Sequence, residues 1–184
     1  MGHRNSNSPA PSSPFPTTSP TAPRWAVALA TGFGAGHLPV MPGTYGSAEG
    51  VVLYLALARI FRGQPQAFWL LCAAVLLLTF LSLWIIALAL PHFSSDDPSA
   101  IVIDEVAGQG ITLLGIAFLH RDLSSSWLAL AVGFILFRVL DSLKPYPIWK
   151  LGHWKGAVGV LADDVGAAAV AALTLYGISR LGWV

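Results

Sequence analysis

Charge is what this chain has least of. Ten basic and nine acidic side chains in 184 residues amount to 10%, against roughly 25% in soluble domains. So few ionic groups cannot solvate a globule of this size. With 55% hydrophobic residues and a mean hydropathy of +0.67, the composition is that of a chain dissolved mainly in lipid, which excludes most soluble enzyme folds. A net charge of +1 from scattered Lys and Arg gives no field for a phosphate backbone, so nucleic acid is excluded as a partner. The single cysteine, Cys72, sits within an apolar run. It excludes an intramolecular disulfide and a Cys-based metal site, and it reads as a packing residue.

The chain divides in two. Residues 1–23, rich in Pro, Ser and Thr and poor in aliphatics, cannot offset the entropy of ordering and read as a disordered, dispensable tail without the apolar core of a secretory signal. Residues 24–184 form one domain. Gln66 to Leu90 supplies an apolar run of roughly 37 Å as helix, enough to cross a bilayer with tilt. Four shorter apolar segments, Ala48–Phe61, Val106–Leu119, Trp127–Leu140 and Val165–Leu181, are each lengthened by a polar flank. The expected fold is an all-α, multi-pass membrane helical bundle of about five membrane-associated helices. In an antiparallel bundle the three unusual connections, residues 31–46, 95–105 and 138–164, share one face.

Those three segments carry the chemistry. The first, Thr31 to Ser47, holds five glycines within residues 31–46 whose exposed N–H groups permit close approach of a ligand. With a helix starting near Ser47, it could cradle an anion through Gly34, Thr44 and Ser47. It is neither a dinucleotide fingerprint, since His37 stands where the third glycine belongs, nor a P-loop, since no Gly-Lys-Ser/Thr follows. The second places Asp104 and Glu105 at the start of an apolar helix, with Asp97 seven residues earlier. One acid would serve the helix dipole; two adjacent acids exceed what a cap requires. The third puts Arg138, Asp141 and Lys144 at i, i+3, i+6 before Pro145 and Pro147 stop the helix, and a second acidic pair, Asp163-Asp164, opens the last span.

Together, Asp97, Asp104, Glu105, Asp141, Asp163 and Asp164 face Arg138 and Lys144. Clustered carboxylates repel unless cations sit among them, and an all-oxygen set suits Mg²⁺. Arg and Lys beside a metal suit a phosphate monoester, so metal-assisted phosphoryl chemistry is the leading reading.

At these residues the sequence resembles the phosphatidylglycerophosphatase A family. The resemblance rests on Gly32-Phe33-Gly34 through Met41-Pro42-Gly43-Thr44 and Gly46-Ser47, then on Asp97 with Ile101 to Glu105 and Gly108. It continues in Phe137-Arg138, Asp141, Lys144-Pro145, Pro147-Ile148, Gly156, Gly159 and Asp163-Asp164, and spans roughly residues 25–180. It implies a Mg²⁺-dependent membrane enzyme converting phosphatidylglycerophosphate to phosphatidylglycerol. On that basis Asp104, Glu105, Asp141, Asp163 and Asp164 are the candidate catalytic residues. Asp97, Asp104, Glu105, Asp163 and Asp164 are the candidate metal ligands, and Gly34, Thr44, Ser47, Arg138 and Lys144 the substrate-binding set. Glu49, Ala157 and Ala168 depart from the family pattern without touching the acids.

The implied setting is the bacterial inner membrane, with the three polar segments at the cytoplasmic surface, Tyr146 and Trp149 as interfacial anchors, and no obligate protein partner. A cation-coupled transporter or a non-catalytic assembly subunit are the competing readings. A transporter predicts acids at mid-span, whereas these gather at helix starts on one face.

Overall fold

The computed structural model describes residues 22–95, 97–118 and 126–183, and every regular element among them is helical. In chain order these are α1 (Arg24–Ala30), a 3-10 turn (Gly32–His37), α2 (Pro42–Phe61), and α3 (Ala67–Ala89) continued by a 3-10 turn (Leu90–His92). Then follow α4 (Ile103–Ala117), α5 (Trp127–Leu143), the single turn α6 (Ile148–Leu151) and α7 (Ala157–Arg180). The all-α expectation holds for these residues. Residues 1–21 of the expected tail lie outside them.

The bundle is organised around α4, which packs on α7, α2, α3 and α5. Its composition explains that position. Nearly every side chain on it is buried, and Ala107, Gly108, Gly110, Gly115 and Ala117 are small enough to let neighbouring backbones close in on several sides. The tightest approach is to α7: a Cβ on Gly115 would collide with the Ala172 carbonyl. Ala167, Ala168 and Ala171 continue the small-residue face of α7. Helices in lipid gain little from burying apolar surface against one another, so association falls to such close van der Waals contact. Ala168, where the resemblance expects glycine, is fully buried.

The outer surface is apolar. Trp69, Leu76, Phe80 and Trp84 on α3, Ile135, Val139 and Leu143 on α5, and Leu173 on α7 are all exposed. Two helices are long and apolar enough to cross a bilayer: Ala67–His92, 26 residues with mean hydropathy 2.7, and α7, 24 residues with mean hydropathy 1.7. These fit a membrane protein. The other three expected spans fall short by length or composition. Helices α4 and α5 have 15 and 17 residues, roughly 22 and 25 Å against a hydrocarbon core near 30 Å, and α2 carries Glu49 and Arg59.

Two helix boundaries differ from expectation. Helix α2 starts at Pro42, five residues before Ser47, because proline is preorganised for the first helical position and loses no hydrogen bond there. Ser47 is therefore an interior helix residue. Helix α7 starts at Ala157, so Asp163 and Asp164 lie almost two turns inside it rather than at its opening. At the end of α5 the expectation stands: Lys144 adopts the left-handed conformation (φ 41°, ψ 57°) and Pro145 prevents continuation.

The close α4–α7 crossing makes a directional prediction. Gly115→Val should cost about 1–3 kcal/mol through overpacking. Gly177→Ala on α7, where an added Cβ meets nothing within 4 Å, should be neutral or slightly stabilising. Thermal unfolding in a neutral detergent measures both, and equal effects would contradict the packing.

Candidate active site

Close packing at one end of the bundle creates the site. The backbone N–H of Val102 donates to the Ala30 carbonyl at 2.8 Å, and Gly36 lies so close to the Ala100 carbonyl that a Cβ would overlap it. The Gly-rich segment thereby pins residues 98–102 across the top of the bundle. Ser82 on α3 donates to the Ile103 carbonyl at 3.3 Å and anchors the first turn of α4 from the other side. Asp104 and Glu105 then point inward, where α7 crosses with Asp163 and Asp164 and the last turn of α5 brings Asp141.

The result is a cavity of about 220 Å³ lined by Asp97, Asp104, Glu105, Asp141, Asp163, Asp164 and Lys144, with Ser99 and Ser142. Asp104, Asp141, Asp163 and Asp164 retain only 6%, 8%, 4% and 4% of their surface, while Asp97 is exposed at the rim. Six acids thus meet two cations. Arg138 donates to Asp141 Oδ2 at 2.8 Å, and Lys144 pairs with Asp163 Oδ2 across 19 residues of chain. Burial alone would lower the pKa of the Lys144 amine. The hydrogen bond it donates to Asp163 and the charges of Asp163, Asp164 and Asp141 outweigh burial and hold it above the ordinary lysine value.

Asp104, Glu105 and Asp164 form no ion pair among the described residues. Asp104, Glu105 and Asp164 each offer a carboxylate oxygen, all within 4.8 Å of one another. Glu105 Oε2, Asp164 Oδ2 and Asp163 Oδ1 are buried without a hydrogen-bond partner. Backbone support is slight: Asp104 Oδ1 accepts from its neighbour's N–H, that of Glu105, at 3.1 Å. Buried carboxylates this close, with spare lone pairs directed at one another, are stabilised by a shared cation. An all-oxygen set, two carboxylates from α4 and one from α7, is the donor chemistry of a hard divalent ion. The residues present fit such a group.

Of the residues singled out from the sequence, the structure brings Asp97, Asp104, Glu105, Asp141, Asp163, Asp164 and Lys144 together. Arg138 pairs with Asp141 and places its guanidinium beside Glu105, and it also lines a neighbouring apolar groove, as does Thr44. Gly34 (φ 100°) is spent on the turn itself and is not among the cavity-lining residues. Ser47 is buried within α2 and donates to the Gly43 carbonyl at 2.9 Å, so its hydroxyl is already satisfied. Gly43, part of the resemblance motif but not of the expected binding set, does more: a Cβ there would strike Glu105 Oε1 and the Arg138 guanidinium, so its lack of a side chain lets α2 sit on both. Gln109, four residues beyond Glu105 on α4, is also unforeseen. It is fully buried with both amide atoms unpartnered, and a lone Gln in an apolar helix was the available signal.

Comparison with known proteins bears on what this cavity does. A family model described as phosphatidylglycerophosphatase A matches residues 28–179. The chain belongs to the phosphatidylglycerophosphatase A family. Proteins named phosphatidylglycerophosphatase A from Escherichia coli and Haemophilus influenzae are each 32% identical, over 83% and 82% of this chain and 82% and 86% of their own lengths. A Bacteroides thetaiotaomicron protein, provisionally named a phosphatidylinositol-3-phosphatase, is 36% identical over 86% of this chain and 94% of its own. No solved structure matches. Membership in this family makes the chain an enzyme, a phosphatase, and removes the transporter and assembly-subunit readings.

The electrostatics predict opposite responses at neighbouring positions. With divalent ions chelated, Asp104→Asn should raise the unfolding temperature, because it removes one repelling charge; relief of about 1 kcal/mol corresponds to roughly 2–4 °C. Lys144→Ala should lower it, because Asp163 is left buried and unpaired. A fall in both variants would show that the acids are already balanced within the protein.

Proposed function

We propose that the chain hydrolyses the phosphate monoester of phosphatidylglycerophosphate, giving phosphatidylglycerol and inorganic phosphate, in a Mg²⁺-dependent reaction of phospholipid biosynthesis. The observation that carries this reading is the convergence of the Asp104, Glu105 and Asp164 carboxylates with Lys144 in one small polar cavity of a phosphatase whose relatives are named for that lipid. Mg²⁺ bound by Asp104, Glu105 and Asp164, with Asp163 and Asp97 as further ligands, would supply positive charge against the phosphoryl oxygens as the transition state develops.

The protein's own groups divide the rest. Lys144 turns from Asp163 to a monoester oxygen and helps neutralise the dianion. Asp163, whose Oδ1 is unpartnered, orients a water and takes its proton as the water oxygen bonds to phosphorus. The bond from phosphorus to the glycerol oxygen breaks, and that oxygen takes up a proton to leave as the alcohol. Asp141, held by Arg138, keeps Lys144 and the acids in register.

Residues 24–184 act as one membrane domain. The bundle is multi-pass: α3 and α7 cross fully, while α2, α4 and α5 reach the interface through their polar flanks. Residues 31–46, 95–105 and 141–164 lie at the cytoplasmic face of the inner membrane, where Mg²⁺ and a charged lipid precursor are both available. Tyr146 and Trp149, exposed beside the site, anchor it at the headgroup level.

The test is phosphate release from phosphatidylglycerophosphate in neutral detergent micelles. Wild-type protein should turn over with Mg²⁺, stop on chelation and recover on Mg²⁺ return. Asp104→Asn and Asp164→Asn should each fall by about three orders of magnitude, the scale set by removing a group that acts on the transition state. Turnover that survives chelation, or full activity in Asp104→Asn, contradicts the assignment.

A further inference from the structure

The two cations of the site line different cavities. Lys144 lines the polar cavity. Arg138 lines an apolar groove of about 460 Å³ between the start of α2 and the outer face of α5, with Met41, Thr44, Phe134, Ile135 and Val139. Ser142 lines both, so cavity and groove share a wall. Arg138 is the one charged residue of the groove; its terminal nitrogens lie toward the acids, one donating to Asp141 at 2.8 Å and both near Glu105, while its Nε is buried with no partner. Thr44 Oγ1, on the same groove, is likewise buried and unpartnered. Two idle donors beside an apolar trough whose Met41, Ile135 and Val139 are exposed suit an acceptor that arrives with a hydrocarbon chain.

We propose that Arg138 and Thr44 form a second anion subsite, one that binds the phosphodiester of the lipid while an acyl chain lies along Ile135 and Val139. This rests on the hydrolytic reading above and extends it, because it separates the phosphate that is cut from the phosphate that is held. The lipid spans the Ser142 wall with its monoester on the Lys144 side and its diester on the Arg138 side. Charge selects this groove over the larger one, about 720 Å³, on the opposite side of α2: there the sole charged lining residue is Glu49, which would repel a phosphate, and no residue is shared with the polar cavity. The subsite recognises a class of lipid, those carrying a terminal monoester beyond a phosphodiester. Phosphatidylglycerophosphate and phosphatidylinositol 3-phosphate both meet that description, whereas phosphatidic acid has only the monoester.

Binding without turnover tests this. Phosphatidylglycerol keeps the diester and the acyl chains but has no monoester, and in neutral detergent micelles it should raise the unfolding temperature of the wild-type protein saturably. Arg138→Gln should weaken that response about tenfold to a hundredfold, the scale of a charge-assisted hydrogen bond. Inorganic phosphate, which Arg138 affects only by holding Asp141 and the acids in register, should lose less in Arg138→Gln than phosphatidylglycerol does. Ile135→Trp, an exposed position outside the ion pair, should weaken phosphatidylglycerol as well, which keeps the test open if Arg138→Gln folds poorly. Dioleoylglycerol, which has no phosphate, should distinguish wild type from Ile135→Trp but not from Arg138→Gln. Undiminished phosphatidylglycerol binding in both variants, or an equal loss of phosphatidylglycerol and inorganic phosphate in Arg138→Gln, overturns the subsite. Either result in a protein that still hydrolyses phosphatidylglycerophosphate leaves the catalytic reading standing, whereas a wild type that binds phosphatidylglycerol as described but releases no phosphate contradicts that reading alone.

Discussion

Repulsion between buried carboxylates is the constraint on which the rest of this structure depends. Where α4 crosses α7, Asp104, Glu105, Asp163 and Asp164 are brought into a space that water barely reaches, and each ionised group there costs several kcal/mol unless it is matched. The scaffold has to hold that arrangement against its own electrostatics. It does so by close approach of small residues farther down the same crossing, Gly115 against Ala172 and then the alanines of α7. Tight packing at one end thus sustains crowded charge at the other.

The matching is deliberately incomplete. Lys144 answers Asp163 and Arg138 answers Asp141, which leaves the Asp104, Glu105 and Asp164 group with orphaned oxygens and, among the described residues, no ion pair of its own. An apolar replacement would be more stable; a set that stays short of positive charge is instead ready for a metal ion and, beside it, for the oxygens of a phosphate. In a phosphatase of this family, the site lies at the polar end of the bundle while the flanks of α3 and α5 stay apolar, an arrangement that suits a substrate with a charged headgroup and an apolar tail.

How far this could be read from the sequence depends on how local each feature is. Asp104 and Glu105 were legible because two acids directly precede an apolar run, and the end of α5 was legible because Pro145 forbids its continuation. The identity of the clustered acids followed from placing three polar segments on one face. What escaped needed longer range. The start of α2 was misplaced because a Gly/Pro-rich stretch reads as turn, although Pro42 suits a first helical position, and the shift turned Ser47 from a ligand-facing residue into one that satisfies its own helix. The register of Asp163 and Asp164 within α7 was hidden by a run of small residues that marks no boundary. The pairing of Lys144 with Asp163, and the place of Arg138 on the wall of an apolar groove, are tertiary facts that no spacing along the chain encodes.

The central claim, that the unmatched carboxylates exist to hold a divalent cation, is most directly tested by binding rather than by rate. Mn²⁺ serves as a paramagnetic stand-in for Mg²⁺, and its electron paramagnetic resonance signal in detergent-solubilised, chelator-stripped protein separates free from bound ion. The account predicts saturable binding that Mg²⁺ displaces, that Asp104→Asn and Asp164→Asn each weaken strongly, and that Glu49→Gln leaves unchanged. Absence of bound Mn²⁺ in the folded wild-type protein, or binding that survives both substitutions undiminished, would contradict it.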